Sequence, residues 1–207
     1  MYNIIKRRFL ENMDKFQDIE EKIDKFSETL PCQSAMPFPP IKVESKNPYY
    51  ATLLLNAFAS SADSEIQAIT QYIYHSKTIS NNTISKALMC IALIEMRHLD
   101  ALSELITMLG GKPFYENSNK NFWMTGNIAY IDKNIIYEKE HSYAEGDKEN
   151  SRDKLEADID GERNAINGYN RLLKTIQDKY IEKIIIKIIS DEQTHIKIFK
   201  NLIEKYL

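Results

Sequence analysis

Chain breakers are scarce. The 207 residues include only 6 glycines and 6 prolines, about half the roughly 12% that the two contribute on average. That scarcity predicts long uninterrupted elements, and helices in particular. Cysteine is scarcer still, with Cys32 and Cys90 alone. Two cysteines exclude a disulfide framework, a four-cysteine zinc site and a rubredoxin-type iron site, so any chemistry must rest on oxygen and nitrogen ligands. There is no basic excess: 27 basic against 30 acidic residues leave a net charge of −3, which argues against nucleic acid as a partner. No apolar run approaches the roughly 18 residues of a membrane span, and Lys187 interrupts the stretch Ile184–Ile189. The basic start, Met1 to Arg8, leads into Glu11, Asp14 and Asp18 rather than an apolar signal region. The expectation is a cytoplasmic protein without membrane contact.

What is present is helical periodicity. Residues 3–29 carry Ile4, Ile5, Phe9, Leu10, Met13, Phe16, Ile19, Ile23 and Phe26 at 3/4 spacing, one face of an amphipathic helix. Pro31, Pro37, Pro39, Pro40 and Pro48 then impose an extended strap, where Cys32 falls. Residues 49–79 contain no glycine or proline and read as a helix, closed by the turn Ser80-Asn81-Asn82-Thr83. A second helix from about Thr83 to Leu109 ends at Gly110-Gly111, with Cys90 expected in its core. Residues 112–150 form a long crossover. A third helix follows from about Ser151 to Ile176, then a turn at Gln177-Asp178 and a fourth helix to Tyr206. The division expected is an N-terminal helix and strap over 1–48 and a bundle over 49–207.

The chain repeats itself at an offset of 97. Residues 65–79 laid on 162–176 give seven identities in fifteen, among them Glu65/Glu162, Ala68/Ala165 and Tyr72/Tyr169. The same ungapped shift pairs Glu95 with Glu192 and His98 with His195. Two helical hairpins of one design, joined by one long connection, make an all-α four-helix bundle.

The repeated residues are chemically telling. Each hairpin offers a Glu on its first helix and Glu-x-x-His on its second: Glu65 with Glu95 and His98, and Glu162 with Glu192 and His195. The two Glu of each hairpin are 30 residues apart, with Ser80 and Gln177 midway, in the turns. Residues equidistant from a turn sit at one height in an antiparallel hairpin, and Glu and His at i, i+3 share a helix face. Four carboxylates and two imidazoles therefore meet in the bundle centre. Bare anions are not tolerated there. Two divalent cations balance four carboxylates while the imidazoles stay neutral, and the ligand set suits iron or manganese.

Other polar residues are placed around this set. Tyr72 and Tyr169 lie two turns after Glu65 and Glu162 and are candidates to hydrogen-bond a carboxylate or pass an electron. Asp191 is expected to accept from the outer ring nitrogen of His98. Arg97 reads as solvated or ion-paired. His75 and His141 read as surface or turn histidines.

At these residues the sequence resembles the ferritin-like superfamily, and its rubrerythrin and manganese-catalase branches above all. The resemblance covers about residues 49–206. It implies a dinuclear iron or manganese centre held by Glu65, Glu95, His98, Glu162, Glu192 and His195, reacting with hydrogen peroxide or dioxygen. The rubredoxin domain of rubrerythrins is lacking, and their extra glutamate three residues after the third-helix ligand is replaced by Ala165. Peroxide reduction would then need an external electron donor. Manganese catalases need none, and in that branch the carboxylate matching Glu192 acts as a base beside the metals. The expected function is removal of peroxide, with iron binding, ferroxidase activity or storage as the alternative. The N-terminal helix is a candidate dimerisation or docking element, and a homo-oligomer, dimer or larger, is expected.

Overall fold

The computed structural model describes residues 19–61, 63–114 and 146–207. The chain divides into two compact units, Met1–Pro31 and Cys32–Leu207. The strap from Cys32 onward lies in the second unit. In the first unit the described helix is α1 (Ile19–Glu28); the rest of the helix expected over 3–29 lies outside the described residues.

In the second unit residues 32–47 form the non-helical strap, and the described elements that follow are helical. These elements are α2 (Pro48–Leu55), a π-helical turn (Asn56–Ser60), α3 (Glu65–Thr78), α4 (Asn82–Met108), α5 (Gly146–Thr175) and α6 (Lys179–Tyr206). Helices α3 and α4 pack as one hairpin and α5 and α6 as the other, and the hairpins meet through α4 with α6 and α3 with α5. No described helix is long and apolar enough to cross a membrane.

Local chemistry sets the helix ends. Asn47 caps α2, accepting from Tyr50 N, and Pro48 takes the first helical position, where its missing N–H costs nothing. Asn81 caps α4 through Thr83 N and Ile84 N, and Asp178 caps α6 through Tyr180 N and Ile181 N. Gly110 takes φ +90° after α4, a conformation that favours glycine. A Cβ on Gly111 would lie 2.6 Å from Ala51 Cβ, so the glycine lets α2 close on the end of α4.

The single helix expected over 49–79 is broken. Ser61, Asp63 and Ser64 leave the helical path, and Ser64 is extended at φ −91°, ψ 159°. The cause is local: Ser61, Asp63 and Ser64 favour turns and caps over helix interiors. The break places Glu65 at the first residue of α3, whereas its repeat mate Glu162 sits mid-helix in α5. The third helix also begins earlier than expected, at Gly146.

Apolar layers bracket the bundle centre along its length. Leu102, Leu105, Ile181, Ile184, Ile185 and Ile188 fill one end with Leu54 and Phe58 above them. Ile84, Leu88, Leu155, Ile159, Phe199 and Leu202 are buried toward the other. The strap is bound to the bundle at several points. Cys32 and Cys90 form a disulfide with Cα atoms 6.1 Å apart, within the usual range. Arg97 stacks on the Phe38 ring at 4.4 Å. Glu44 N donates to Asp178 Oδ2 at 2.7 Å, and Asn47 N donates to Leu109 O at 3.1 Å. Cys90 is accordingly half-buried on the strap side of α4, not a core residue as expected.

Asp178 therefore caps a helix with one oxygen and holds the strap with the other. Asp178→Ala should lower unfolding stability by about 2 kcal/mol in a denaturant titration. A loss below about 0.5 kcal/mol would show that neither bond matters.

Candidate metal centre

All six repeated residues meet where the two hairpins face each other. His98 and His195 are fully buried, Glu95 and Glu192 are 1% exposed, and Glu162 and Glu65 are 2% and 4% exposed. Around His98 Nδ1 stand Glu95 Oε2 at 2.9 Å, Glu192 Oε1 at 3.3 Å and Glu65 Oε2 at 3.5 Å. Around His195 Nδ1 stand Glu192 Oε2 at 2.8 Å, Glu95 Oε1 at 2.9 Å and Glu162 Oε1 at 3.2 Å. One ring N–H can serve only one oxygen well. Three oxygens gathered on each nitrogen are an arrangement for a cation rather than a proton.

The two groups share members. Glu65, Glu95, His98 and Glu192 form one set able to hold an ion, and Glu95, Glu162, Glu192 and His195 form the other. Glu95 and Glu192 each turn one oxygen toward each histidine, so they stand between the sets, while Glu65 and Glu162 close the two ends. Glu95 Oε1, Glu192 Oε2 and His195 Nε2 are buried without a hydrogen-bond partner among the described residues. Orphaned oxygens in a dry site cost free energy unless an ion takes them up. The donor set, hard and intermediate atoms from six side chains, four carboxylates and two imidazoles, fits two ions of the iron or manganese kind.

Electrostatics say the same. Burial pushes the Glu65 and Glu162 carboxyls well above the usual range, with neighbouring carboxylates adding to the rise. Burial alone would lower His98 and His195, but the surrounding carboxylates outweigh it and raise both. Burial likewise opposes ionisation of Glu95, yet the two imidazoles prevail and hold it well below the usual range. Without metal, protons take the places of positive charge.

The outer residues complete the symmetry. Tyr72 Oη donates to Glu162 Oε1 at 2.7 Å, and Tyr169 Oη donates to Glu65 Oε1. Each tyrosine thus serves the carboxylate of the opposite hairpin. Burial, with the adjacent carboxylates, raises both phenols, which keeps them protonated donors. Asp191 Oδ2 lies 3.1 Å from His98 Nε2, so it is placed to orient that ring. Burial opposes its charge, but His98, Lys187 and the Ser34 backbone N–H hold Asp191 well below its usual value.

Above the set lies a cavity of about 20 Å³ lined by Ser64, Gln71, Tyr72, Glu162, Ala165 and Glu192 among others, enough for about one water-sized molecule. Ser64 Oγ is buried there without a partner among the described residues. A larger hollow of about 380 Å³ shares Ala165 and reaches Tyr169 past Gly168 and Arg171. A Cβ on Gly168 would meet nothing nearer than Arg171 Nη2 at 3.7 Å, so this glycine widens the hollow rather than permitting close packing.

The ferritin-like domain model matches residues 55–206. The chain belongs to the ferritin-like family. Among curated proteins it is similar to a probable manganese catalase of Clostridium acetobutylicum, 23% identical over 186 residues, covering 80% of this chain and 75% of the relative. Among solved structures it is similar to a manganese catalase from Anabaena, with TM-score 0.63, 24% identity and coverage of 81% of this chain and 77% of that one. It is also similar to a bacterioferritin of Mycobacterium tuberculosis, with TM-score 0.56, 23% identity and coverage of 77% and 87%. At these identities the solved structures speak for the ferritin-like fold.

Several residues around the ferritin-like centre escaped the sequence reading. Lys187, read as an interruption, is fully buried and donates to Asp191 Oδ1 at 2.7 Å; its i, i+4 spacing to Asp191 was the available signal. His75 is fully buried beside Asp158, at 3.0 Å from Oδ2, not a surface or turn histidine, and Gln71 donates to the same Asp158. No spacing rule marks that pair. His141 lies outside the described residues.

A consequence of the raised carboxyls and imidazoles is competition between metal and protons. Metal uptake should release protons, and affinity should rise with pH. Calorimetric titration of Mn²⁺ in buffers of different ionisation enthalpy checks this. The linked stability runs the other way: the raised histidines stabilise the metal-free fold below about pH 6.5, and that contribution is lost as pH rises through their folded values. Affinity independent of pH would contradict the charge account.

Proposed function

We propose that the protein is a di-metal oxidoreductase that removes hydrogen peroxide. The observation that carries this reading is the doubled ligand set, with Glu95 and Glu192 lying between two His-Glu groups beneath a cavity of about one water's size. A cavity of that size is compatible with a small oxygen species such as peroxide or dioxygen. The named catalases among the relatives support the same reading.

Glu65, Glu95, His98, Glu162, Glu192 and His195 would hold two iron or manganese ions. Such ions supply Lewis acidity and exchange electrons with peroxide. The chain's own residues supply the rest. Glu192, like Glu95, belongs to both groups and lines the cavity; we assign proton transfer to its carboxylate because the resemblance to manganese catalases gives the matching residue that role. Tyr72 and Tyr169 hold Glu162 and Glu65 in orientation by their hydroxyl bonds, and Ser64 Oγ can donate to a small oxygen species in the cavity. Asp191 fixes the ring of His98. Disproportionation, two peroxides to two waters and dioxygen, needs no electron donor. That suits a sequence with no four-cysteine iron motif. A cytoplasmic homo-oligomer remains our reading of its setting.

A second reading has its own support. Glu192 is placed as symmetrically as Glu95, as befits two bridging ligands rather than one ligand and one base. That favours iron oxidation, as in a ferroxidase or storage protein, and bacterioferritins share the fold.

Protein loaded with Mn²⁺ or Fe²⁺ should consume peroxide and evolve half a mole of dioxygen per mole without reductant. Peroxide left untouched, with and without reductant, sinks the proposal. Glu192→Gln distinguishes the roles of that residue. If Glu192 is the base, two metals per chain remain and turnover falls by about 10²-fold or more. If it bridges, metal content itself falls.

A further inference from the structure

The strap reaches the site from outside the bundle. Ser34, two residues after Cys32, donates its backbone N–H to Asp191 Oδ1 at 2.8 Å. Lys187 Nζ donates to the same oxygen at 2.7 Å and to Ser34 Oγ at 3.2 Å. The other oxygen of Asp191 faces His98 Nε2. An unbroken line of contacts therefore runs from the Cys32–Cys90 disulfide through Ser34 and Asp191 to a candidate metal ligand. The repeat gives this line its geometry. Lys187 and Cys90 differ by the repeat offset of 97, so they are equivalent positions on α6 and α4. The strap binds both, Cys90 covalently through Cys32 and Lys187 through Ser34, and so bridges the two hairpins beside the site.

Residues 38 to 47 are held by Arg97, Asp178 and Leu109. The Cys32 end is held by the disulfide and by the Ser34 contacts with Asp191 and Lys187, and Gln33 between them has a partner of its own. We propose that the Cys32–Cys90 bond is a redox latch on metal retention: closed, it holds Ser34 on Asp191 and thereby fixes His98; open, it lets that end of the strap leave and loosens the histidine. The inference rests on the reading of His98 as a metal ligand, not on the reaction proposed for the metals.

The opening step is thiol–disulfide exchange with a dithiol. A thiolate of the reductant attacks Cys90 Sγ, because Cys90 is half-buried while Cys32 is only 3% exposed. The Cys32–Cys90 bond breaks and Cys32 leaves as a thiolate that takes up a proton. The reductant's second thiol then attacks its own sulfur in the mixed disulfide, forming the reductant's disulfide and releasing Cys90. Two electrons pass from dithiol to protein, and two thiols result. Bonds of this kind in reducing compartments are commonly transient and redox-sensing, which is compatible with a cytoplasmic setting.

The test measures Mn²⁺ release from the loaded full-length protein into excess chelator, in the oxidised form and after reduction with a phosphine. Thiol titration confirms two thiols per reduced chain, and circular dichroism confirms retained helix. Release should be about tenfold faster or more after reduction, the scale on which outer partners of a metal-bound histidine act. Cys32→Ser should release as fast without reductant and should not respond to it. Ser34→Pro, which removes the N–H while leaving the disulfide closed, should also release faster, separating the proposed line of contacts from a general loosening. Equal release in oxidised and reduced protein, including no retention in either, overturns the latch. A redox-dependent release in protein that leaves peroxide untouched would uphold the latch and defeat the proposed reaction instead.

Discussion

Four carboxyl groups and two imidazoles lie in a layer that water scarcely reaches, with apolar layers on either side. That concentration of like charge is the constraint around which the bundle is arranged. In a dry interior, four adjacent anions repel and forfeit hydration, so positive charge has to enter. In the metal-free chain it enters as protons, which is why Glu65 and Glu162 rise while Glu95 falls between two raised histidines. Two divalent cations meet the same need with a better fit, because oxygens converge on each histidine nitrogen from three carboxylates at once.

The outer contacts are arranged around that charge. Tyr72 and Tyr169 cross between hairpins, each donating to a carboxylate it does not share a helix with. The bonds lock the hairpins in register at the level of the cluster. Asp191 is a fifth buried anion nearby, and it is balanced separately by Lys187 and by the strap's Ser34 N–H. The histidines differ in consequence: His98 has Asp191 at its outer nitrogen, while the outer nitrogen of His195 has no partner among the described residues. The repeat is thus chemically twofold at the centre and asymmetric outside it, and the strap lies on the asymmetric side.

How much of this was legible in the sequence depended on whether a feature had a period. Glu65, Glu95, His98, Glu162, Glu192 and His195 were legible because a 30-residue spacing and a 97-residue offset fix height and face together. The helical hairpins followed from the same arithmetic and from the turns at Ser80-Asn81-Asn82-Thr83 and Gln177-Asp178. The break before Glu65 was less visible, since apolar spacing continues through it and only Ser61, Asp63 and Ser64 mark the turn. The Cys32–Cys90 bond was invisible: the partners are 58 residues apart, and two cysteines carry no spacing pattern. Lys187 was misread for a related reason. A lysine inside an apolar helix face looks like an interruption until the aspartate one turn later and the strap above it are both in view.

The central claim is that Glu95 and Glu192 stand between two cations in the bundle centre. Anomalous diffraction from crystals of the metal-loaded protein tests it most directly. The account predicts two anomalous peaks per chain, one beside His98 with Glu65 and one beside His195 with Glu162, with Glu95 lying between them. A single peak, no peak at the centre, or ions bound only at surface carboxylates would contradict it.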